Sequence, residues 1–388
     1  MKTVSAYYEF FAGGGMARSG LGPSWQCLFA NDFDHKKGAI YRRNWRDETM
    51  HVADVRRVQA RDLPGRADLI WASFPCQDLS LAGGGAGLRG DRSGTFWPFW
   101  DVVKSLIKLG RAPQIIALEN VCGTLTSHGG KDFAAICMAL DAAGYSFGAM
   151  VIDAALFTPH SRPRLFIVGL CPDLQPPLFV QRESPSEIWH TRALRTSYEK
   201  LAAPLKQGWV WWDMPMPAPR VRTFADLVED EPVGITWHTA EETRQLLAMM
   251  SNVNAEKVRE AKRLSKQTGR RMVGTVYKRT RRDENGYKVQ RAEIRFDDIA
   301  GCLRTPAGGS SRQLIVVIDG GKVRSRLISP RETARLMGLP DHYVLPDNYN
   351  EAYHLTGDGV AAPVVRHLAR HIFEPLLAAG PAISRAAA

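Results

Sequence analysis

A cysteine and two arginines have the residue types needed for nucleophilic catalysis. Cys76 follows Pro75 directly after the apolar run Asp68–Ser73. A thiolate is a strong nucleophile, and neighbouring cations favour it over the thiol. Arg162 and Arg164 precede another apolar run and could supply that positive charge. Taken alone, Cys76 could equally be a small buried hydrophobic residue. Its place at the end of a predicted strand favours the nucleophile.

An acidic residue has a similar position further along the chain. Glu119 ends the apolar run Ile115–Leu118 and is followed by Asn120. A carboxyl group at such a semi-buried edge can remain protonated and donate a hydrogen bond. The alternative is an acid that caps a helix. The sequence therefore offers Glu119 as a candidate partner of the nucleophile.

The first apolar run leads into a glycine-rich turn. Three glycines occupy positions 13–15, directly after Val4–Phe11, and Asp32 ends the next run about twenty residues on. An acid at that point can bind ribose hydroxyls, and Asp54 ends a third run. The full GxGxxG spacing is absent, which disfavours a dinucleotide. The pattern favours a nucleoside-type cofactor without a pyrophosphate, although a plain turn would also use these glycines.

These residues come at the ends of alternating β-type and helical segments. Such alternation predicts a mostly parallel sheet with helices on both faces, whose ligands bind beyond the carboxyl ends of the strands. The predicted strands are Val4–Phe11, Gln26–Ala30, Asp68–Ser73, Gln114–Glu119, Met150–Ala154 and Leu165–Leu170, and the predicted helices are Lys36–Asn44, Phe96–Leu109 and Asp132–Ala143.

The amino-acid composition changes after Leu170. Eight prolines lie between Pro172 and Pro219, and proline at that density interrupts helices and central strands. We therefore expect a separate, irregular domain over residues 173–344, inserted into a domain formed by residues 1–172 and completed by residues 345–388. Further on, the sequence predicts helices over Glu241–Met250, Ser329–Met337 and about Ala361–Ala379, and a strand over Leu314–Ile318.

The charge of the chain indicates a polyanionic partner. The 388 residues have a net charge of +11, and residues 255–295 alone contain fourteen Lys or Arg against five Asp or Glu. Such a segment suits phosphate binding, although a solvated surface is the alternative. No apolar run reaches membrane-spanning length, and the six scattered cysteines do not predict a zinc site or a disulfide framework. We expect a cytoplasmic protein with no metal.

Eight short motifs occur in the order found in one family. Together they span almost the whole chain, and on them the chain resembles the cytosine-5 DNA methyltransferases, most closely the bacterial single-polypeptide type. The motifs are Phe11-Ala12-Gly13 with Gly15, Asn31-Asp32-Phe33-Asp34, Asp54-Val55, Pro75-Cys76-Gln77, Glu119-Asn120-Val121, Arg162-Pro163-Arg164, Pro330-Arg331-Glu332 with Arg335-Leu336-Met337-Gly338, and Gly357-Asp358-Gly359-Val360.

The resemblance implies a cofactor site for S-adenosylmethionine. Phe11 would lie against the adenine, and Asp32 would bind the ribose hydroxyls. Gly13 and Gly15 would admit the methionine portion, and Asp54 would accept the adenine amino group. Three further residues are assigned to the cofactor by their motifs alone: Pro75, Asp358 and Val360. Asp358 stands where the family usually has Asn.

The resemblance also implies the reaction. Cys76 would add to carbon 6 of a flipped-out cytosine so that carbon 5 can accept a methyl group. Glu119 would hydrogen-bond ring nitrogen 3 and the exocyclic amine, and Arg164 would hold the base carbonyl. Arg162 would help to order the nucleophile loop. The stretch Leu79–Thr95 would form a lid over the flipped base.

The implied fold is a Rossmann-like S-adenosylmethionine-dependent methyltransferase sheet with a smaller irregular target-recognition domain. Arg304-Thr305-Pro306 and Gly308–Arg312 resemble the recognition-loop region of the family. Double-stranded DNA is the expected partner of a monomeric, nucleoid-associated enzyme that can be paired with a cognate restriction endonuclease. Two alternatives stay open. One is methylation of transfer RNA, and the other is an inactive DNA-binding homologue that keeps the cofactor pocket.

Overall fold

The computed structural model describes residues 4–75, 93–303 and 312–380. They form two compact units. The first unit comprises residues 1–153, 163–217 and 360–388, and the second comprises residues 154–162 and 218–359. The first unit therefore includes residues 173–217, and the second includes residues 345–359. The second unit also includes residues 154–162, so the division differs from the expected domain boundaries in three places.

The first unit contains the predicted sheet. Its strands are β1 (Ser5–Phe10), β2 (Trp25–Asp32), β3 (Met50–Val52), β4 (Leu69–Ala72), β5 (Ile115–Val121), β6 (Ser146–Asp153), β7 (Pro163–Leu170), β8 (Gln181–Arg182) and β9 (Trp211–Trp212). Its first helices are α1 (Met16–Leu21), α2 (His35–Trp45), α3 (Phe96–Lys108), α4 (Lys131–Ala142), α5 (Arg192–Glu199) and α6 (Ala203–Gln207). All six predicted strands and all three predicted helices of this region are confirmed within a few residues.

The main sheet has seven strands in the order β3-β2-β1-β4-β5-β7-β6. Strands β1 to β5 run parallel to one another, whereas β7 is antiparallel to both β5 and β6. The central strands are buried on both faces, which explains their nearly continuous apolar sequences. The mixed α/β fold class is confirmed, and the carboxyl ends of β1, β2, β4 and β5 meet at one edge.

The segment of residues 189–212, which contains four tryptophans, belongs to the first unit because it covers the outer edge of β6. The Phe147 N–H donates to the carbonyl of Gly208 at 2.8 Å, and the Val210 N–H donates back to Phe147 at 2.7 Å. The Val151 N–H donates to Trp189 in the same way. An uncovered edge strand would expose unpaired backbone groups, so this pairing ties residues 189–212 to the sheet.

The chain returns to the first unit at its end. The predicted final helix is divided into α11 (Ala362–Leu368), a π-helical turn (Ala369–Phe373) and α12 (Glu374–Ala378). It lies so close to α1 that a Cβ on Gly20 would be 2.5 Å from the carbonyl oxygen of Ala362. The Trp25 indole N–H also donates to Glu374 at 3.1 Å.

The second unit is built on a four-stranded antiparallel sheet in the order β11-β10-β12-β13. These strands are β10 (Met272–Arg282), β11 (Lys288–Arg295), β12 (Leu314–Asp319) and β13 (Lys322–Leu327). The helices are α7 (Ala240–Ala248), α8 (Asn252–Thr268), α9 (Pro330–Leu336) and α10 (Tyr349–Asp358). The predicted helix at Ser329 is confirmed, and its capping box with Glu332 is formed.

Both faces of this sheet are buried near its centre. Val276, Ala292 and Ile294 face a cluster that includes residues of α7 and α8. Val273 and Ile315 contribute to a second cluster with residues of α9 and α10. The strands alternate in side-chain direction, so each face contributes to its own core.

Candidate active site

The glycine turn after β1 is held by the end of β2. The Gly13 N–H donates to Asp32 Oδ2 at 2.8 Å, and the Asp34 N–H donates to Asp32 Oδ1 at 2.9 Å. The Ala12 N–H donates to the carbonyl of Asn31 at 2.9 Å. Asp32 is buried, and this burial raises the pKa of its carboxyl group. The structure therefore brings together two predicted cofactor residues, Gly13 and Asp32.

Gly13 and Gly15 are needed for different reasons. Both have left-handed φ angles, +54° and +79°, which disfavour any residue with a Cβ. A Cβ on Gly15 would lie 2.3 Å from Trp45 Nε1 and 2.8 Å from Tyr41 Cε2. Among the residues that the structure describes, no atom lies within 4 Å of a Cβ on Gly13. Gly15 thus serves close packing against α2, whereas Gly13 faces open space.

An exposed aromatic side chain directly follows Asp32, the residue that holds this turn. Phe33 follows Asp32 and is 73% exposed, which is unusual for a large hydrophobic residue. Together with the Asp32 carboxylate and the open space at Gly13, it fits a nucleoside ligand. Sequence reasoning quoted Phe33 in a motif but did not assign it to the site. The available signal was an aromatic residue directly after Asp32, the acid predicted to bind ribose.

Two other predicted cofactor residues lie at the same edge. Phe11 has a left-handed φ of +57°, and its ring contacts Phe99 edge-on at 6.1 Å between centroids. The Asn31 side-chain amide donates to the carbonyl of Ala53 at 2.9 Å, which ties β2 to the residue before Asp54. The Asp54 carboxylate caps the following turn and pairs with Arg56 at 3.2 Å.

A side-chain hydrogen bond links the predicted nucleophile segment to β5. The Asn120 Nδ2 donates to the carbonyl of Phe74 at 3.1 Å, and both residues are buried. Pro75 follows Phe74 and is half-buried. Cys76 and most of the predicted lid, Leu79–Thr95, lie outside the described residues.

Glu119 and Arg164 form an ion pair on adjacent antiparallel strands. Arg164 Nε lies 3.3 Å from Glu119 Oε1, and the two side chains are only 14% and 7% exposed. The pairing of β5 with β7 sets Val121 opposite Arg164, which places the arginine near Glu119. These two predicted catalytic residues are therefore brought together, next to Asn120.

Arg162 and Asp358 belong to the second unit. Arg162 is buried, and its Nη2 donates to the carbonyls of Gly357 at 2.8 Å and Gly359 at 2.6 Å. Asp358 lies between these glycines at the exposed end of α10. Val360, which is buried, begins the last segment of the first unit. The described contacts of Arg162 thus hold the turn that leads to Val360.

The most buried carboxyl group of the first unit lies just before the glycine turn. Glu9 is 1% exposed, and burial raises its pKa to about 8 despite the nearby Arg18 guanidinium. The Tyr41 hydroxyl donates to Glu9 at 3.4 Å and accepts a hydrogen bond from Arg18 at 3.1 Å. Arg18 also pairs with Asp47 at 2.5 Å. This network joins β1 to α1 and α2, and no pattern in the sequence indicated it.

Comparisons with known proteins show the family of this chain. A family model described as C-5 cytosine-specific DNA methylase matches residues 6–374. The chain therefore belongs to the C-5 cytosine-specific DNA methylase family, and it is a DNA (cytosine-5-)-methyltransferase that uses S-adenosylmethionine. DNA is its substrate class.

Relatives match along nearly the full chain. The type II methyltransferase M.HpaII of Haemophilus parainfluenzae is 25% identical, over 95% of this chain and 89% of the relative. M.HhaI of Haemophilus parahaemolyticus is 24% identical, over 94% and 93%. The fold is similar to that of the Entamoeba histolytica methyltransferase EhMeth, with a TM-score of 0.63 and 13% identity over 97% of this chain and 99% of the other.

Among residues 4–75, 93–303 and 312–380, no helix is long and apolar enough to cross a membrane. Within the same ranges, no cluster of three His, Cys, Asp or Glu side chains could hold a metal ion.

Proposed function

We propose that this protein is a type II modification methyltransferase that methylates carbon 5 of a flipped-out cytosine through a covalent Cys76 adduct. The hydrogen bond from Asn120 to the carbonyl of Phe74 is the observation that carries this proposal. It ties the chain two residues before Cys76 to the strand end that bears Glu119. The nucleophile and its partner would therefore act at the same edge of the sheet.

The first unit would bind the cofactor through its glycine turn. Asp32 would accept hydrogen bonds from the ribose hydroxyls, since its carboxylate is already oriented by two backbone N–H groups. Phe11 and Phe33 offer aromatic surfaces for the adenine, and Gly13 leaves room for the methionine portion. S-adenosylmethionine, when bound, supplies an electrophilic methyl group. The assignments of Asp54, Pro75, Asp358 and Val360 stay predictions from their motifs.

The base would be held by the ion-paired residues. Arg164 would donate to the base carbonyl, and Glu119 would hydrogen-bond ring nitrogen 3 and the exocyclic amine, which stabilises the charge that develops as the thiolate adds. Addition of Cys76 to carbon 6 makes carbon 5 nucleophilic. Loss of the carbon 5 proton and expulsion of the thiolate would then restore the ring. Flipping the base out of the stack costs a few kcal/mol.

Arg162 would act by positioning. A guanidinium group can bridge two carbonyls with its several donors, as Arg162 does between Gly357 and Gly359. We assign to it the ordering of that turn, in place of the ordering of the nucleophile loop.

The second unit would choose the target sequence. Its hairpin β10–β11 contains most of the basic residues of the segment 255–295 that do not belong to α8. Major-groove contacts supply about 1–3 kcal/mol of discrimination for each good bidentate pair. A monomer bound to bacterial DNA in the cytoplasm, with or without a cognate endonuclease, completes the proposal.

Transfer of a tritiated methyl group tests the reaction. The full chain is incubated with labelled S-adenosylmethionine and either duplex DNA or transfer RNA. We expect incorporation into DNA and none above background with Cys76→Ser. The matched variant Cys171→Ser should keep full activity, because Cys171 follows β7 and its N–H donates to the carbonyl of Gln114 at the amino end of β5, the end opposite Glu119. Incorporation into transfer RNA alone would contradict the DNA substrate. Full activity of Cys76→Ser would exclude the covalent route.

The recognised sequence can be found in the same system. Bisulfite sequencing of DNA from cells that express the protein should show protected cytosines in one short sequence. Protection without a shared sequence would contradict the role of the second unit in target choice.

A further inference from the structure

The hairpin β10–β11 has two faces with different surroundings. Residues paired directly across an antiparallel ladder point to the same side, and successive residues alternate. The register therefore separates the exposed part of the hairpin into two sets. We call the first the arginine face, made of Tyr277, Arg279, Arg281, Val289, Arg291 and Glu293, and the second the opposite face, made of Lys278, Thr280, Arg282, Lys288 and Gln290.

Tyr277 connects the arginine face to both sides of the predicted recognition loop. Its hydroxyl lies 2.8 Å from the carbonyl oxygen of Cys302 and 2.5 Å from Gln313 Oε1. A Cβ on Gly301 would be 2.5 Å from the Tyr277 ring, so the chain before the loop packs directly on this tyrosine. Residues 304–311 lie outside the described residues, but both of their flanks are thus fixed to the arginine face.

Two of the three arginines on this face pair with the same acid. Glu293 lies 3.3 Å from Arg279 Nε and 2.5 Å from Arg281 Nη2. The Arg279 guanidinium also lies 5.9 Å from the centre of the Tyr277 ring. With Arg291 opposite Arg279, three cations face one carboxylate, which leaves the surface positive. Arginines that are already ordered lose less rotamer freedom when they bind an anion.

The opposite face has different neighbours. Further along the same strands it continues into Val276, Ala292 and Ile294, which are buried in the cluster that includes residues of α7 and α8. It carries the same number of Lys and Arg, namely Lys278, Arg282 and Lys288. These three residues form a matched control set. Replacing them removes as much positive charge as replacing Arg279, Arg281 and Arg291, but from the other face of the hairpin.

We propose that the arginine face binds the phosphates of the DNA duplex beside the bases that are read. This inference rests on the proposed function, because it takes the flanks fixed by Tyr277 as the base of a recognition loop. Phosphate contacts set affinity and register but do not choose the sequence. The arginine face would therefore determine how strongly DNA binding depends on salt.

The test compares two triple variants of the full chain. Arg279→Gln, Arg281→Gln and Arg291→Gln are combined in one, and Lys278→Gln, Arg282→Gln and Lys288→Gln in the other. Fluorescence anisotropy measures the binding constant between about 50 and 200 mM salt, on a duplex with the sequence found by bisulfite sequencing and on a random duplex. Each lost phosphate contact reduces the log–log slope by about 0.9. We expect a loss of about 2 to 3 for the arginine-face variant and less than about 0.5 for the control.

Further outcomes separate this inference from the proposed function. The single variant Arg281→Gln, at a side chain that is 51% exposed, should lose about one unit of slope without affecting folding. Equal losses in both triple variants, or none in the arginine-face variant, would overturn the inference. A changed methylated sequence would overturn it too, because these residues would then read bases. If wild-type protein methylates no DNA, it is the proposed function that fails.

Discussion

Alanine substitutions at Gly13 and Gly15 should separate the two roles of the glycine turn. Each substitution forces a Cβ into a left-handed conformation, which costs about 1–2 kcal/mol. For Gly15→Ala, the contacts at 2.3 Å to Trp45 Nε1 and 2.8 Å to Tyr41 Cε2 add an overpacking cost. Overpacking typically costs about 1–3 kcal/mol, so the free energy of unfolding should fall by about 2–5 kcal/mol in total.

Gly13→Ala should behave in the opposite way. Its Cβ meets no atom of the described part of the chain within 4 Å, so the free energy of unfolding should fall only by the conformational cost, about 1–2 kcal/mol. The added methyl group would project into the space assigned to the cofactor. We expect the Kd for S-adenosylmethionine to rise at least about tenfold, which is about 1.4 kcal/mol.

Urea denaturation measures the free energy of unfolding, and isothermal titration calorimetry independently measures the Kd for S-adenosylmethionine. Titration is done on protein that circular dichroism shows to be folded, since Gly15→Ala can lose binding through unfolding alone. The reasoning is refuted if Gly13→Ala binds the cofactor as tightly as wild-type protein. It is also refuted if Gly15→Ala is no less stable than Gly13→Ala, because the contacts with α2 would then carry no cost.

Three further predictions concern buried charges and the cofactor segment. The pKa of Glu9 is raised to about 8 in the folded state from an ordinary value of 4.5, so folding favours its protonated form. Wild-type protein should therefore lose stability relative to Glu9→Gln as the pH rises from about 4.5 to about 8. An unfolding free energy that changes with pH in the same way for both proteins would contradict this. Arg326 and Glu332 form an ion pair at 2.6 Å, and both side chains are fully buried. Arg326→Met alone should therefore lower the unfolding free energy by about 3–5 kcal/mol, because it leaves a buried charge unpaired. A double-mutant cycle in urea should show that Arg326→Met combined with Glu332→Leu costs less than the sum of the two single changes. Asp358→Asn, which restores the residue common in the family, should change the Kd for S-adenosylmethionine in calorimetry, and an unchanged Kd would remove Asp358 from the cofactor site.

Much of the fold could be predicted because a strand buried on both faces has a run of apolar residues that is visible in the sequence. The apolar runs of β1, β4 and β5 are strands buried on both faces, and the capping box at Ser329 and Glu332 depends only on residues three apart. The short β3 was missed because three residues carry too little pattern. The order of the motifs likewise identified the family, since order along the chain is a property of sequence.

Pairings between distant segments could not be predicted in this way. No local pattern shows that β7 runs antiparallel to both of its neighbours, or that residues 208–212 cover the edge of β6. The predicted site also has a part that the sequence shows and a part that depends on tertiary structure. The types and order of Gly13, Asp32 and Glu119 were evident from the sequence, whereas the Glu119–Arg164 pair depends on strand register.

The sequence by itself determined the family and offered the residues predicted to carry the chemistry, because residue type and order are written in it directly. Only the tertiary structure decided what surrounds them: that Gly15 packs against Trp45 while Gly13 faces open space, and that Tyr277 joins the two flanks of residues 304–311. Such contacts join segments far apart in the chain. They depend on strand register and helix packing, which are set by the whole of each unit rather than by any local stretch.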